Sequence, residues 1–193
     1  MCAAGRVVGV VGILMLTAFA AWAQHPQRRE GFWIGFGLGY GGADITCDNC
    51  VEGRREGGVT AFLKLGGSPS RNVLIGGALN GWSRERGGAT ETMGNVTASV
   101  YYYPSATSGL FVTGGLGFSS YLVDTSPEVT GTGWGFTGGI GYDIRVGRNV
   151  SLTPVVNFLF GGVGDLELSG GAGTFATGWN QNVIDFGLGV TFH

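Results

Sequence analysis

Gly31-Phe32-Trp33-Ile34-Gly35-Phe36-Gly37-Leu38-Gly39-Tyr40 decides the fold. Its even positions are large and apolar, and its odd positions, Trp33 apart, are glycine. A period of two marks a β-strand, because successive side chains point to opposite faces of a pleated chain. The stretch from Ile184 to Phe192 repeats it. Ile184, Phe186, Leu188, Val190 and Phe192 fall on one side, and Asp185, Gly187, Gly189 and Thr191 on the other. The same alternation recurs along the chain. What matters is where the apolar face points: outward makes a membrane barrel, inward a soluble barrel or sandwich.

Composition favours the outward face. Glycine supplies 40 of 193 residues, about three times its usual share of roughly 7%. The glycines fall mostly opposite the apolar residues. A solvated sheet face carries Lys, Glu, Thr and Arg instead. The lumen of an eight-stranded barrel is only just wide enough for side chains, so small residues belong there. Charged residues are 12% of the chain, against roughly 25% in soluble domains. A net charge of −2 gives no footprint for nucleic acid.

The start of the chain reads as an export signal over residues 1–23. Arg6 precedes the uncharged apolar run Val7 to Ala21, and Ala21-Trp22-Ala23 is a small-x-small cleavage site. Residues 24–193 then form one barrel domain. Cys2 lies ahead of the apolar run and leaves with the signal.

Eight strands are expected near 31–41, 58–66, 73–84, 94–103, 110–122, 133–146, 150–160 and 180–192. Ten is the runner-up count. The connections near 67–72, 104–109 and 147–149 read as short turns. Those near 42–57, 85–93, 123–132 and 161–179 read as long loops, about 55 residues in all, carrying most of the charge. Short turns on one rim and long loops on the other is the plan of an outer-membrane barrel, with both termini in the periplasm. Tyr40, Trp82, Tyr102, Tyr103, Tyr121, Trp134, Tyr142, Trp179 and Phe192 lie near strand ends and are expected in interfacial girdles. Pro154 fits worst, since proline removes a ladder donor, and a bulge or local break is expected there.

These features together resemble the small eight-stranded outer-membrane β-barrel family, of the OmpX/OmpA transmembrane type. The resemblance covers Gly31 to Phe192 and rests on the signal peptide, the opening strand and the closing strand D-F-G-L-G-V-T-F. It implies an all-β, up-and-down antiparallel transmembrane barrel in the bacterial outer membrane. It further implies that Phe186, Leu188, Val190 and Phe192 form the signal read by the outer-membrane assembly machinery. His193 follows Phe192, so the aromatic is penultimate here rather than last.

Few residues carry chemistry. Cys47 and Cys50 are spaced for a local disulfide in an exported loop. A redox role would need this pair at a helix start, and a metal site would need more ligands. Gly37-x-Gly39-x-x-Gly42 matches a dinucleotide fingerprint by chance, since a polar loop follows it and not a helix. Lys64, Asn80, Arg84, Asp143, Arg145, Asn157 and Asp185 fall on the inner parity and are expected to form a polar network filling the lumen. Both histidines, His25 and His193, lie at the ends of the mature chain, away from any loop where a hydrolase would work.

The reading is a non-enzymatic outer-membrane barrel without cofactor or metal. Its partners are membrane lipid, the assembly machinery and a surface partner met through the long loops. One alternative is a narrow channel for small solutes or apolar molecules, with a water path along Gly35, Gly37, Gly115, Gly117, Gly139 and Gly141. The other is a soluble secreted ligand-binding barrel.

Overall fold

A computed structural model describes residues 29–48, 54–170 and 173–193. The expected signal peptide lies outside the described residues. Nine strands follow in order: β1 Gly31–Thr46, β2 Glu56–Ser70, β3 Val73–Arg86, β4 Ala89–Tyr102, β5 Leu110–Asp124, β6 Val129–Tyr142, β7 Ile144–Arg145, β8 Val150–Leu168 and β9 Gly173–Phe192. Each long strand pairs antiparallel with the next, and β9 returns to β1 with Leu38 opposite Leu188. The two-residue β7 continues β6 along β8, so the sheet closes as an eight-stranded up-and-down barrel. Closure gives every long strand two neighbours, which the bilayer demands because it offers backbone groups no water. No helix among the described residues is long and apolar enough to cross a membrane.

The apolar parity points outward. Phe118, Leu116 and Phe32 are 75%, 65% and 65% exposed, and they continue into a belt with Phe36, Leu38, Val59, Val96, Ile140 and Phe186. Soluble proteins rarely expose a continuous apolar belt of this kind, and it is the surface lipid covers. The soluble-barrel alternative, with the apolar face inward, is therefore wrong. Both Gly31 and Phe192 lie at one end, here called the terminal rim, and the opposite end is the distal rim.

Inside, glycines make room for large rings. A methyl group on Gly37 or Gly189 would come within 2.5 or 2.7 Å of the Phe62 ring. One on Gly58 would come within 2.5 Å of Trp82, and one on Gly141 within 2.5 Å of Phe111. The outer face repeats the device, with Trp134 lying over its cross-strand partner Gly162. The glycine excess is thus the complement of the aromatics, each ring resting where a neighbouring strand has no side chain.

Three expectations need correction. The distal connections are not long loops: strands continue through most of them, and among the described residues only 47–48, 54–55, 87–88, 125–128 and 169–170 lie outside strands there. β8 and β9 are 19 and 20 residues long, about twice the 9–11 needed to cross a bilayer. Between Arg86 and Ala89 the chain reverses in two residues, Gly87 (φ 60°) and Gly88 (φ 83°), a left-handed pair that glycine adopts without strain. The charges of Glu56, Arg84, Glu85, Arg86, Asp165 and Glu167 accordingly stand on strands beyond the belt.

The girdle is smaller than expected. Tyr40, Tyr102, Trp134, Tyr142 and Phe192 face out, but Trp82, Tyr103, Tyr121 and Trp179 are buried in the lumen. Finally, the sixth expected strand is broken at Asp143. On one side of Pro154 the ladder to β9 runs unbroken. On the other, pairing skips from Gly141–Val155 to Ile144–Leu152. The break in the neighbouring strand falls where proline has no N–H to give.

Candidate functional site

The lumen is filled in layers. At the terminal rim Trp33, Leu74, Tyr101, Tyr103, Phe111 and Val155 form an apolar cluster. Trp33 donates its Nε1–H to Gly67 O at 3.2 Å. Arg29, just ahead of β1, lays its guanidinium 3.6 Å over the Tyr103 ring and donates to the carbonyls of Ala106 and Ser108. That stack ties the start of the barrel across the β4–β5 turn.

Asp143 is the polar centre of this end. It is fully buried, between β6 and β7, and accepts hydrogen bonds from Tyr103 Oη and Thr153 Oγ1, each at 2.7 Å. His193 Nε2 lies 3.4 Å from Asp143 Oδ2, its side chain folded under the rim. Burial pushes the Asp143 carboxyl up, but the contacts of His193 and Thr153 and the field of Lys64 outweigh it and hold it at about 2. Burial, and then the Asp143 carboxylate, push the Tyr103 phenol far above its ordinary range, so it stays a donor.

Midway, Phe62 lies against the glycine wall of β1 and β9, and Lys64 packs its methylenes on Gly35. Asn157 donates to Asp185 at 3.0 Å. Above them Asn95 spans the barrel, its Nδ2 donating to Phe136 O at 3.0 Å and Phe160 O at 2.9 Å. Ser119 donates to Asn95 Oδ1 at 2.8 Å, and Gln181 donates to Ser119 at 3.0 Å. Toward the distal rim Trp82, Met93, Tyr121, Leu159, Val163, Leu166, Trp179 and Val183 make a second apolar cluster. Trp82 donates to Gly41 O at 3.1 Å, and Tyr121 to Glu91 at 2.7 Å. Arg84 bridges Glu91 at 2.6 Å and Glu56 at 2.8 Å.

The seven expected lumen residues all lie on inner positions, spread along the barrel in three layers, with Lys64 and Asp143 coupled through space between two of them. Arg84 belongs to the distal layer, Asp143 and Arg145 to the terminal one, and Lys64, Asn80, Asn157 and Asp185 to the middle. Sequence reasoning missed Glu91, Asn95, Ser119, Tyr121 and Gln181. All five were on the inner parity, the signal that would have found them. The glycine path proposed for water is occupied: side chains of Lys64, Phe62, Ser99, Asn157 and Phe111 crowd Gly35, Gly37, Gly115, Gly139 and Gly141.

Charge is segregated at the distal rim. Arg54, Arg55, Arg84 and Arg86 stand on β2, β3 and the chain leading into β2, among Asp44, Glu56, Glu85 and Glu91. The tips of β5–β6 and β8–β9 carry Asp124, Glu128, Asp165 and Glu167 and no cation. Cys47, next to β1, is disulfide-bonded. Cys50, its expected partner, lies outside the described residues. Among the described residues no group of three or more His, Cys, Asp or Glu side chains is placed to hold a metal.

Solved structures share this architecture. Neisserial surface protein A aligns with TM-score 0.56 and 15% identity, over 84% of this chain and 97% of its own. The attachment invasion locus protein Ail of Yersinia pestis, in complex with the heparin analogue sucrose octasulfate, aligns with TM-score 0.51 and 12% identity, over 84% and 99%. The chain has the fold of the small eight-stranded outer-membrane β-barrels. No protein-family model and no curated protein matches the sequence. This barrel carries two apolar lumen caps and long distal strands.

Proposed function

We propose that this is a non-enzymatic outer-membrane protein that acts through its distal rim, as a rigid platform for contact at the cell surface. The carrying observation is that the lumen is capped at both ends by packed rings, while the strands run on past the lipid belt. The terminal rim, with both chain ends, then faces the periplasm and the distal rim the exterior. A second apolar cluster continues into those extensions, with Leu166, Ala176 and Val163 buried there and Ile45, Val123 and Leu168 packed against it. Strand extensions with a core of their own hold their tips in fixed relation, as free loops do not.

The partner's character follows from the charge. The Yersinia pestis relative in fold is seen with a polyanion. Here Arg55, Arg84 and Arg86 already face Asp44, Glu56 and Glu91, and the other half of the rim is acidic. A sulfated polyanion would meet paired cations on one side and repulsion on the other. The platform therefore suits a neutral or basic surface partner better.

Two measurements test this. Purified barrels in planar bilayers are expected to give no unitary conductance. Cells displaying the protein are expected to lose display-dependent surface attachment when Asp165–Gly178 is replaced by a two-residue turn. Stable ohmic steps from the wild type would overturn the reading in favour of a channel.

A further inference from the structure

Backbone pairing does not close the β2–β3 seam at the distal rim. The β2–β3 ladder ends there at Val59–Ser83. Past that point β2 stays paired to β1 as far as Glu56, opposite Ala43. β3 stays paired to β4 as far as Arg86, opposite Ala89. Glu56–Gly58 and Arg84–Arg86 therefore each carry a ladder on the far side and none toward each other. The next two seams differ: β4–β5 is paired up to Thr90–Asp124 and β5–β6 up to Val123–Val129.

Side chains close the seam instead. Arg84 Nη1 lies 2.8 Å from Glu56 Oε2, and Arg86 Nη1 lies 3.4 Å from Glu56 Oε1. Behind them Arg84 Nε donates to Glu91 Oε2 at 2.6 Å, and Tyr121 Oη donates to Glu91 Oε1 at 2.7 Å. The Arg84 and Glu91 side chains are 15% and 11% exposed, against 47% for Glu56 and 74% for Arg86. Salt screens exposed pairs strongly and enclosed pairs weakly. Arg84 is thus a fixed catch, braced by Glu91 and Tyr121, and Glu56 is the part that lets go. Trp82 lies directly beneath. A methyl on Gly58 would stand 2.5 Å from its ring, and its indole N–H passes under β2 to Gly41 O on β1 at 3.1 Å. Moving Glu56–Gly58 away from β3 uncovers both the ring and that bond.

We propose that the β2–β3 seam is an electrostatic latch, in which Glu56 on Arg84 and Arg86 holds the wall shut over Trp82 and ionic strength sets how often the distal cap is uncovered. An exposed ion pair shifts such an equilibrium by up to about five-fold. Arg55 takes no part, being held on the outer wall by Gly42 O, Asn182 and Asp44. The opening is local, because β4, β5 and β6 keep their ladders. The latch is independent of the surface role, which belongs to the tips of the rim and not to what lies beneath this seam.

The test is hydrogen exchange of the indole N–H groups, followed by NMR on the full mature protein folded in detergent micelles. Exchange of a buried N–H tracks the population of the locally opened form. Trp33, which donates to Gly67 O at the terminal rim, is the internal reference. In the wild type the Trp82 rate, taken relative to Trp33, is expected to rise on the order of two- to five-fold from low salt to about 1 M sodium chloride. Glu56→Gln, checked for folding by its heat-dependent gel shift, is expected to show the raised rate already at low salt and no further rise. Glu85→Gln, on the opposite face of β3, is expected to match the wild type. A wild-type Trp82 rate indifferent to salt, a Glu56→Gln protein that behaves as wild type, a Glu85→Gln protein that behaves as Glu56→Gln, or Trp33 and Trp82 accelerating together would each overturn the proposal.

Discussion

Trp82 separates the two readings of this chain's aromatics, and its truncation has a cost that the structure sets. A girdle tryptophan rests among headgroups. Trp82 is instead 1% exposed inside the distal cap, donates to Gly41 O at 3.1 Å and fills the space over Gly58. Its cross-strand partner is Met93, and the Arg84 guanidinium lies 5.6 Å from its ring. Trp82→Ala removes the ring and leaves a void between fixed strands, a change that costs about 3–5 kcal/mol in packed cores. Trp82→Phe keeps most of the ring and loses the indole donor, for about 1 kcal/mol. The difference between the two substitutions reports packing alone. The assay is urea unfolding in detergent micelles, followed by the heat-dependent gel shift and extrapolated linearly. A loss below about 1 kcal/mol for Trp82→Ala would refute a packed distal cap. Equal losses for Ala and Phe would show that the hydrogen bond, not the ring, matters.

Other consequences are equally direct. Gly37→Ala puts a methyl 2.5 Å from Leu188 O and from the Phe62 ring; a backbone contact cannot rotate away, so we expect a loss of about 1–3 kcal/mol by urea unfolding. Leu116→Arg places a charge in the outward belt and is expected to cost about 2–4 kcal/mol in vesicles, whereas Thr132→Arg, on the exposed distal part of β6, should cost little. The Asp143 carboxyl is held at about 2 in the folded chain against an ordinary 3.8. A depressed acid stabilises above its unfolded value and loses that contribution as pH falls from near 4 toward 2. The amount is on the order of 2 kcal/mol, so the wild type should lose that much more stability than Asp143→Asn between pH 6 and pH 2. Parallel pH profiles for the two proteins would rule out a charged Asp143 at the terminal rim.

The strands and their two faces were legible in the sequence because lipid on one side and a narrow lumen on the other leave few residue types to choose from. Phe32, Leu38, Leu116 and Phe186 declare the outer face by parity alone. The girdle reading failed where it set parity aside: Trp82, Tyr103, Tyr121 and Trp179 were all on inner positions, and proximity to strand ends was the weaker signal. An aromatic near the end of a stave serves as a lumen cap as readily as an interface anchor, and only the register decides. The distal extensions were illegible for a different reason. Beyond the bilayer no lipid enforces alternation, so Glu85-Arg86-Gly87-Gly88 reads as a polar loop although the chain stays paired up to the turn. Layering of the polar residues was equally hidden. Arg84 and Asp143 share an inward parity, but which rim each occupies depends on the stagger between strands. The pairing of Lys64 with rings rather than carboxylates depends on the same stagger. The fold's direction was thus readable from composition, and the site's chemistry only from register.

The barrel has one orientation: apolar parity to lipid, rings of the inner parity sealed in the lumen. Among the described tryptophans Trp134 is 57% exposed, while Trp33, Trp82 and Trp179 are 1%, 1% and 6% exposed. Four single-tryptophan variants, folded into vesicles of brominated lipid, measure this directly. The structure predicts strong quenching of Trp134 and little of the other three. Strong quenching of Trp33 or Trp82, with Trp134 spared, would contradict it and turn the barrel inside out.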